Sequence, residues 1–498
     1  MNVTLINPNL ESGYNPNFGL AYVISSVERY FKVKLLDLSF HKKDYAQHIL
    51  SHLKEFSPRV IGFSATSFTF KYALTIASLI RKFYPRILLV YGGVHPTLLP
   101  EETLQNPLVD AVCIGEGEDS LTEYLQRIEQ NEEPQGVTGI WYKDKVGTIV
   151  KNPLRPFKED LDSLPFPNWD HWEIEKYLKL NESFIGALRI FASRGCPYSC
   201  SFCSNPAIRR AVPGRYYRTR RPEHIIEEIK LNINKYYNKG FKQVVFADEN
   251  FGLNLEQTKI FCSLYTKEGL SNRIGWSCQR RADLINEEWA RIVSGAGCNM
   301  VSFGVESGDE HIRMKVYNKE IDDKQIISAI NSLHKYNIMC GINIIVICPE
   351  DSINSINKSF KLIKKIKPEF VSIGFYNPLP KTTLYNSLKL TIDYVKEGPR
   401  RIWNVPRLRS KFLSAGQLEI VVLKIYFFRI YHFFAQGLKM RKMGFLKDII
   451  RYIFGIDNMR TISLFSPHAL TDLESRVLFR YMLEDHKRHL AGKTAHAG

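Results

Sequence analysis

The sequence lacks a secretory signal: Met1-Asn-Val-Thr-Leu-Ile-Asn-Pro runs straight into a strand-like stretch, with no basic segment ahead of a long apolar one. With nine cysteines and no such signal, a reducing cytoplasm is the expected compartment and no disulfide framework is expected. No helix-turn-helix, RNA-recognition or zinc-finger pattern accompanies the formal charge of +17 over 498 residues, so no nucleic-acid partner is expected and the charge needs another account. Internal repeats and long low-complexity tracts are absent. The apolar stretch 418–434 is broken by Glu419, Lys424 and Arg429; it is too short and too charged for a membrane-spanning helix. What remains, 44% hydrophobic and 12% aromatic, is ample for packed structure, and the length calls for two or three domains.

Three of the cysteines are concentrated. Phe191-Ala-Ser-Arg-Gly-Cys-Pro-Tyr-Ser-Cys-Ser-Phe-Cys-Ser-Asn205 aims Cys196, Cys200 and Cys203 at one point just after an extended apolar run. Zinc wants four ligands, commonly as paired Cys-x-x-Cys or Cys/His blocks, but the other cysteines are single and no His follows at zinc-finger spacing. A cubane iron–sulfur cluster normally takes four thiolates, so a triplet without a fourth suggests a cluster with one iron left open. Three buried structural cysteines are the plain alternative.

The gaps of three and then two residues, with Phe202 directly before the last Cys, resemble the signature of the radical S-adenosylmethionine (SAM) enzymes. The resemblance implies that Cys196, Cys200 and Cys203 hold a [4Fe–4S] cluster, that SAM chelates its fourth iron, and that Phe202 lies against SAM. It also implies cleavage of SAM to a 5′-deoxyadenosyl radical, with electrons from an external one-electron reductant such as flavodoxin or ferredoxin.

Ahead of the triplet, apolar runs at 3–6, 33–36, 60–63, 87–90 and 111–114 alternate with amphipathic segments, which predicts a parallel sheet with helices on both faces. Ligands bind such sheets beyond the carboxyl ends of the strands. There the unusual residues collect: Asn7-Pro8-Asn9, Asp37, Ser64-Ala65-Thr66, Gly92-Gly93-Val-His95-Pro-Thr97 and Gly115-Glu116-Gly117-Glu118. Turn chemistry accounts for any one of them taken alone. Together they resemble the cobalamin-binding domain that precedes the barrel in one large class of radical SAM enzymes, which implies Gly92, Gly93, His95, Gly115 and Gly117 as cobalamin contacts. Asp-x-His-x-x-Gly, which ligates cobalt from below in other cobalamin proteins, is missing: the region reads Asp37-Leu-Ser-Phe-His41-Lys-Lys. No histidine of that motif is therefore expected on the cobalt.

Residues 136–150 alternate around a polar break at Asp144-Lys145, as a β-hairpin would. Pro153, Pro156, Pro165 and Pro167 mark a linker. Six strand candidates follow, at 185–192, 243–247, 274–281, 300–305, 341–347 and 370–375, each ahead of a helical segment. They suit the partial barrel of the radical SAM enzymes, whose active site sits at the carboxyl ends of the strands. The resemblance implies SAM contacts from Asp248 and Glu249, from Arg281 or its neighbour Arg280, and from Glu306 and Ser307 of Gly-Val-Glu-Ser. Ile347-Cys-Pro-Glu-Asp-Ser352 stands where many relatives have Gly-Leu-Pro-Gly-Glu-Thr, and Lys381 stands at a usual glycine, so altered loop paths are expected.

The expected fold is α/β: a doubly wound Rossmann-like parallel sheet (1–150), a linker (151–184), a partial (β/α)6 barrel (185–390) and a mainly helical carboxyl-terminal region (391–498). For that last region the alternatives are a helix packed on the barrel and an interfacial helix, with the basic patch Lys439, Arg441, Lys442, Lys447 and Arg451, resting on the inner face of an anionic membrane. The expected activity is cobalamin-dependent methylation of an unactivated carbon in a small or lipid-like substrate; rearrangement, cyclisation or oxidation by the same radical stays open. A cofactor-holding sensor without turnover is the rival from another class. Methylthio transfer to tRNA is disfavoured, because the amino-terminal domain has only Cys113 and lacks cysteines for a second cluster.

Overall fold

The five apolar runs at the start of the chain become five parallel strands: β1 (Asn2–Asn7), β2 (Lys32–Asp37), β3 (Val60–Ser64), β4 (Leu88–Gly92) and β5 (Ala111–Cys113). Strands enclosed on both faces read as continuous hydrophobic runs, and Val3, Ile6, Ile61, Leu89 and Val112 are fully buried. Each such side chain contributes roughly 1.5–3 kcal/mol. In this computed structural model, residues 1–10, 16–180, 186–388, 410–414, 416–425 and 427–428 are described.

The alternating stretch after β5 pairs as expected. β6 (Ile140–Lys143) and β7 (Ile149–Lys151) form an antiparallel hairpin turning at Asp144, and β6 runs antiparallel to β5. The sheet order is β2-β1-β3-β4-β5-β6-β7. Because β1 has β2 on one side and β3 on the other, the order reverses between β1 and β3. Beyond that crevice ligands bind in open sheets, and here it presents Asn7-Pro8-Asn9 and Ser64-Ala65-Thr66.

The second sheet begins with β8 (Ala187–Ile190). Before its next strand the chain leaves for a two-stranded antiparallel ribbon, β9 (Ser193–Arg194) and β10 (Arg218–Thr219). It returns with β11 (Gln243–Phe246), β12 (Gly275–Gln279), β13 (Cys298–Glu306), β14 (Met339–Val346) and β15 (Phe370–Phe375). All six strands are parallel and stand in chain order, the arrangement of a partial (β/α)6 barrel.

The compact units do not follow chain order. One comprises Met1–Ile174, Ser193–His224 and the described residues from Pro378; the other comprises Glu175–Ala192, Ile225–Asn377 and the described residues from Ser410 onward. Where the sequence reading gives 185–390 to one barrel, the triplet loop folds with the first sheet.

The loops that lack glycine keep a glycine's conformation. Ile347 and Lys381 both have φ of +61°, a left-handed conformation costing an L-residue about 1–2 kcal/mol. Lys381 is exposed, so Lys381→Gly loses no packing. After the entropy that glycine gives up, a net gain of about 0.5–1 kcal/mol is expected, read as a higher urea midpoint. Ile347→Gly should do the reverse, since that side chain is fully buried and its cavity costs about 2–5 kcal/mol.

In the carboxyl-terminal region the helical residues 416–425 bury Val421 and Ile425, and Lys424 bonds Asn357. Ser410 and Lys411 bond the carbonyl of Pro349. These contacts are those of a packed helix. Ile420, Leu423 and Phe427 are exposed. The remainder of 418–434 and the basic patch lie outside the described residues. Among the described residues no helix is long and apolar enough to cross a membrane.

Candidate functional site

At the carboxyl edge of the first sheet the two glycine-containing motifs form one hydrogen-bonded piece. Ala65 N donates to Gly92 O (2.8 Å) and His95 N to Ala65 O (3.1 Å), stitching the loop after β4 to the loop after β3. The Thr97 hydroxyl donates to Gly93 O (2.8 Å) and accepts from Gly115 N (3.0 Å), which joins the loop after β5. Gly93, at φ +100° and ψ −171°, occupies a region that only glycine enters freely. A Cβ there would lie 2.7 Å from Ala65 O.

His95 is fully enclosed, hydrogen-bonded through Nδ1 to the Ser67 hydroxyl (3.0 Å) and stacked on Phe70 at 4.0 Å. Burial pushes its pKa down to about 4, so the ring is neutral at physiological pH. It supports the loop from within and offers no exposed surface to a ligand.

The acidic residues of Gly115-Glu116-Gly117-Glu118 point to the triplet loop. Glu116 receives Arg194 (3.0 Å), Arg218 (2.8 and 3.1 Å) and the Lys158 amide (2.9 Å); Glu118 receives the other arm of Arg194 (2.7 Å). Arg194 is itself stacked over Tyr22, and Arg218 over Phe157. Burial pushes the Glu116 carboxyl up, but Arg194 and Arg218 outweigh it and hold the carboxyl below its usual range. Charged pairs this enclosed persist only when well matched and hydrogen-bonded.

From Arg194 on β9 the chain enters the triplet. Gly195, at φ +84°, passes so close to the segment just ahead of β10 that a Cβ would lie against Tyr216 O. Cys203 N donates to Cys200 O (3.2 Å), and Cys203 Sγ caps the helix Ser204–Ala211 by accepting from Asn205 N (3.5 Å). Arg209 reaches back from that helix to Pro197 O (2.6 Å) and the Ser199 hydroxyl (2.9 Å), and Leu384 N donates to Ser201 O (2.8 Å). None of the nine cysteines is in a disulfide; six are buried, whereas Cys196, Cys200 and Cys203 are all half-exposed. Among the described residues no three His, Cys, Asp or Glu side chains converge as for a single metal ion. A cubane spreads its thiolates over separate corners.

In the second unit the expected residues lie at strand ends. After β11, Asp248 is buried and accepts from Ala192 N (2.9 Å), Glu249 is exposed, and Asn250 is fully buried. Asn250 Oδ1 accepts from Arg281 N (3.1 Å), while its Nδ2 has no partner among the described residues. Arg280 is spent on the carbonyls of Phe251 (2.6 Å), Gly252 and Leu284 (3.1 Å). Arg281 is held by both oxygens of Asp283 (3.0 and 3.3 Å). At the last residue of β13, Glu306 takes φ +63° at a register shift and accepts from Lys319 Nζ (2.8 Å), a pair enclosed on both sides. Ser307 O accepts from the buried Arg313 (2.6 Å).

Residues 12–125 match the family model of the B12 binding domain, and residues 190–363 match that of the radical SAM superfamily. The chain belongs to the radical SAM enzymes that carry a B12-binding domain. An uncharacterized methyltransferase of Pyrococcus horikoshii is 28% identical over 86% of this chain and 92% of the relative. The anaerobic magnesium-protoporphyrin IX monomethyl ester cyclase of Rubrivivax gelatinosus is 26% identical over 86% and 77%. The radical SAM methyltransferase TsrM of Kitasatospora setae, solved with cobalamin and a [4Fe–4S] cluster bound, shares the fold: TM-score 0.64, 17% identity, 77% of this chain and 74% of that one.

For a B12-binding radical SAM enzyme the donors present fit the cofactors called for. Three accessible thiols stand on one loop, and a buried amide N–H lies unanswered at the end of β11. Leaving such a donor empty costs about 1–3 kcal/mol. Sequence reading passed over Asn250 and Lys319, and quoted Thr97 only as part of its motif. Lys319 lies 13 residues beyond Glu306, in no helical or strand register with it. Arg194 was in view inside the triplet stretch, but nothing local distinguished it from a solvated arginine.

Proposed function

We propose that this enzyme methylates an unactivated carbon of a small organic molecule, using cobalamin and SAM. The observation that carries the reading is that the B12-binding sheet and the triplet loop belong to one compact unit, which in this reading would hold the two cofactors on one piece. The relation to a methyltransferase over nearly its whole length supports it.

In this reading Cys196, Cys200 and Cys203 ligate the cluster, and the edge at Gly92, Gly115 and Gly117 receives cobalamin, with Gly93 and His95 shaping it from below. SAM is taken by Asp248, Glu249 and Asn250, by Glu306 and Ser307, and by Phe202; Arg281, bound to Asp283, orients Asn250 through its amide. Lys319 fixes one oxygen of Glu306, leaving the carboxylate oriented for a cationic partner. When bound, the cluster supplies one electron to SAM and cobalamin carries a methyl group, while the protein supplies orientation and electrostatics. The electron comes from an external reductant.

The test is anaerobic incubation of cluster-loaded enzyme with SAM and reductant, with and without cobalamin, measuring both SAM-derived products. Methylation expects S-adenosylhomocysteine, dependent on cobalamin, together with 5′-deoxyadenosine. Formation of 5′-deoxyadenosine without S-adenosylhomocysteine would instead assign radical rearrangement or cyclisation, the reading favoured by the likeness to the cyclase. Neither product would leave the sensor.

A further inference from the structure

We infer that Glu116 and Glu118 are positioning residues for the cluster loop, acting through Arg194 and Arg218, and that they are not cobalamin contacts. The Gly-Glu-Gly-Glu motif sits on the B12-binding sheet, yet its two carboxylates are occupied from the other side. Arg194 bridges both, at 3.0 Å to Glu116 and 2.7 Å to Glu118. Arg218, with 3% of its side chain exposed, closes on Glu116 at 2.8 Å and also donates to Lys158 O and Tyr216 O. The two arginines are direct partners across the ribbon, since Arg218 pairs with Arg194 in register. Like charges side by side and largely enclosed repel, so the ribbon closes only because the carboxylates lie between them.

The consequence falls on the cysteines. Arg194 is two residues from Cys196, and the residue between them, Gly195, is packed against the backbone of Tyr216. No slack separates the ion cluster from the first thiol. Gly115 and Gly117 frame the same carboxylates: the Gly115 amide is held by Thr97 and Gly117 opens the helix Gly117–Glu129. A Cβ on Gly115 would meet Val212 at 3.3 Å and one on Gly117 would meet Val23 at 3.4 Å, so both glycines are packed within the chain while the acids face the ribbon. Residues that orient the ligands of a metal centre typically change its affinity or activity by about 10–100-fold when altered.

This rests on the triplet holding the cluster. If wild-type protein takes up no cluster, that reading has failed; if it does, the following comparison decides the present one. Glu116→Gln, Glu116→Ala and Arg194→Lys are reconstituted as full-length protein alongside wild type and compared for iron content, the SAM-induced change in the electron paramagnetic resonance spectrum of the reduced cluster, and retention of added cobalamin. Glu116→Ala is expected to lower cluster retention or 5′-deoxyadenosine formation by about 10–100-fold and to alter the SAM-dependent spectrum, with cobalamin retention unchanged. Glu116→Gln, which keeps the shape and loses the charge, should fall between Ala and wild type, as should Arg194→Lys. If Glu116→Ala unfolds, the Gln variant carries the same comparison. A wild-type spectrum and rate in Glu116→Gln and Arg194→Lys would overturn the proposal, and so would loss of cobalamin with an undisturbed cluster, which would return the motif to the cobalamin site.

Discussion

Cys200→Ala is expected to leave no SAM cleavage above background and to lose iron, while the protein stays folded. A methyl group cannot ligate iron, and three thiolates leave no spare. The fold is spared because the Cys200 carbonyl, which accepts from Cys203 N at 3.2 Å, survives the change, and the side chain is half-exposed, so no core is opened. Cys262→Ala is the control. That thiol is buried, and burial pushes its pKa up to about 12; removing it should shift stability and leave the iron in place. Iron analysis together with 5′-deoxyadenosine measurement checks both, and an intact, SAM-responsive cubane in Cys200→Ala would refute the ligand assignment.

Replacing Gly93 by alanine is expected to destabilise the first unit by several kcal/mol even with no cobalamin present. The position combines a conformation costing about 1–3 kcal/mol for other residues with a Cβ 2.7 Å from the Ala65 carbonyl oxygen, and that carbonyl is the acceptor for His95 N. Loss of cobalamin in this variant would therefore report a disturbed loop. Gly92 and Gly117 separate the two effects. A Cβ on Gly92 meets nothing closer than 3.7 Å, and one on Gly117 meets side chains at 3.4 and 3.6 Å, ordinary contact in both cases. Gly92→Ala should keep the melting behaviour of the wild type and weaken cobalamin retention, because a methyl group then stands where the backbone would approach the ligand. Thermal unfolding without ligand, paired with a retention assay, distinguishes them; equal melting of Gly93→Ala and wild type would remove the steric argument.

The strands were legible because they are enclosed parallel strands, in which burial on both faces writes the same apolar run into the sequence that the structure later hides. The triplet was legible because three cysteines stand at short, fixed spacing within one loop, a pattern that needs no long-range contact to be read. The ion cluster was not. Glu116 meets Arg194 and Arg218 across 78 and 102 residues of chain, and a pairing at that range leaves no local period; beside two glycines, the acids looked like turn chemistry. Arg280 and Arg281 show the same limit. The sequence placed both after a strand without showing their partners within the chain, which are carbonyls for Arg280 and the carboxylate two residues away for Arg281. At Ile347 and Lys381, where relatives have glycine, the sequence did not show that the backbone would nonetheless take a left-handed φ.

That the triplet loop, Ser193–His224, is built into the unit of the amino-terminal sheet bears on how such proteins can recombine. The proline-rich stretch 151–184 looks like a natural seam, yet a crossover there would marry one parent's Glu116 to another's Arg194 and Arg218. Viable exchanges between relatives are expected to fall after residue 224, so that the sheet and the loop descend together. The lineage of the cysteines would then track the lineage of the B12-binding half, together with the described residues from Pro378, which share its unit and reach Ser201 O through Leu384 N; only the stretch between, Ile225–Asn377, is open to be traded for new substrates.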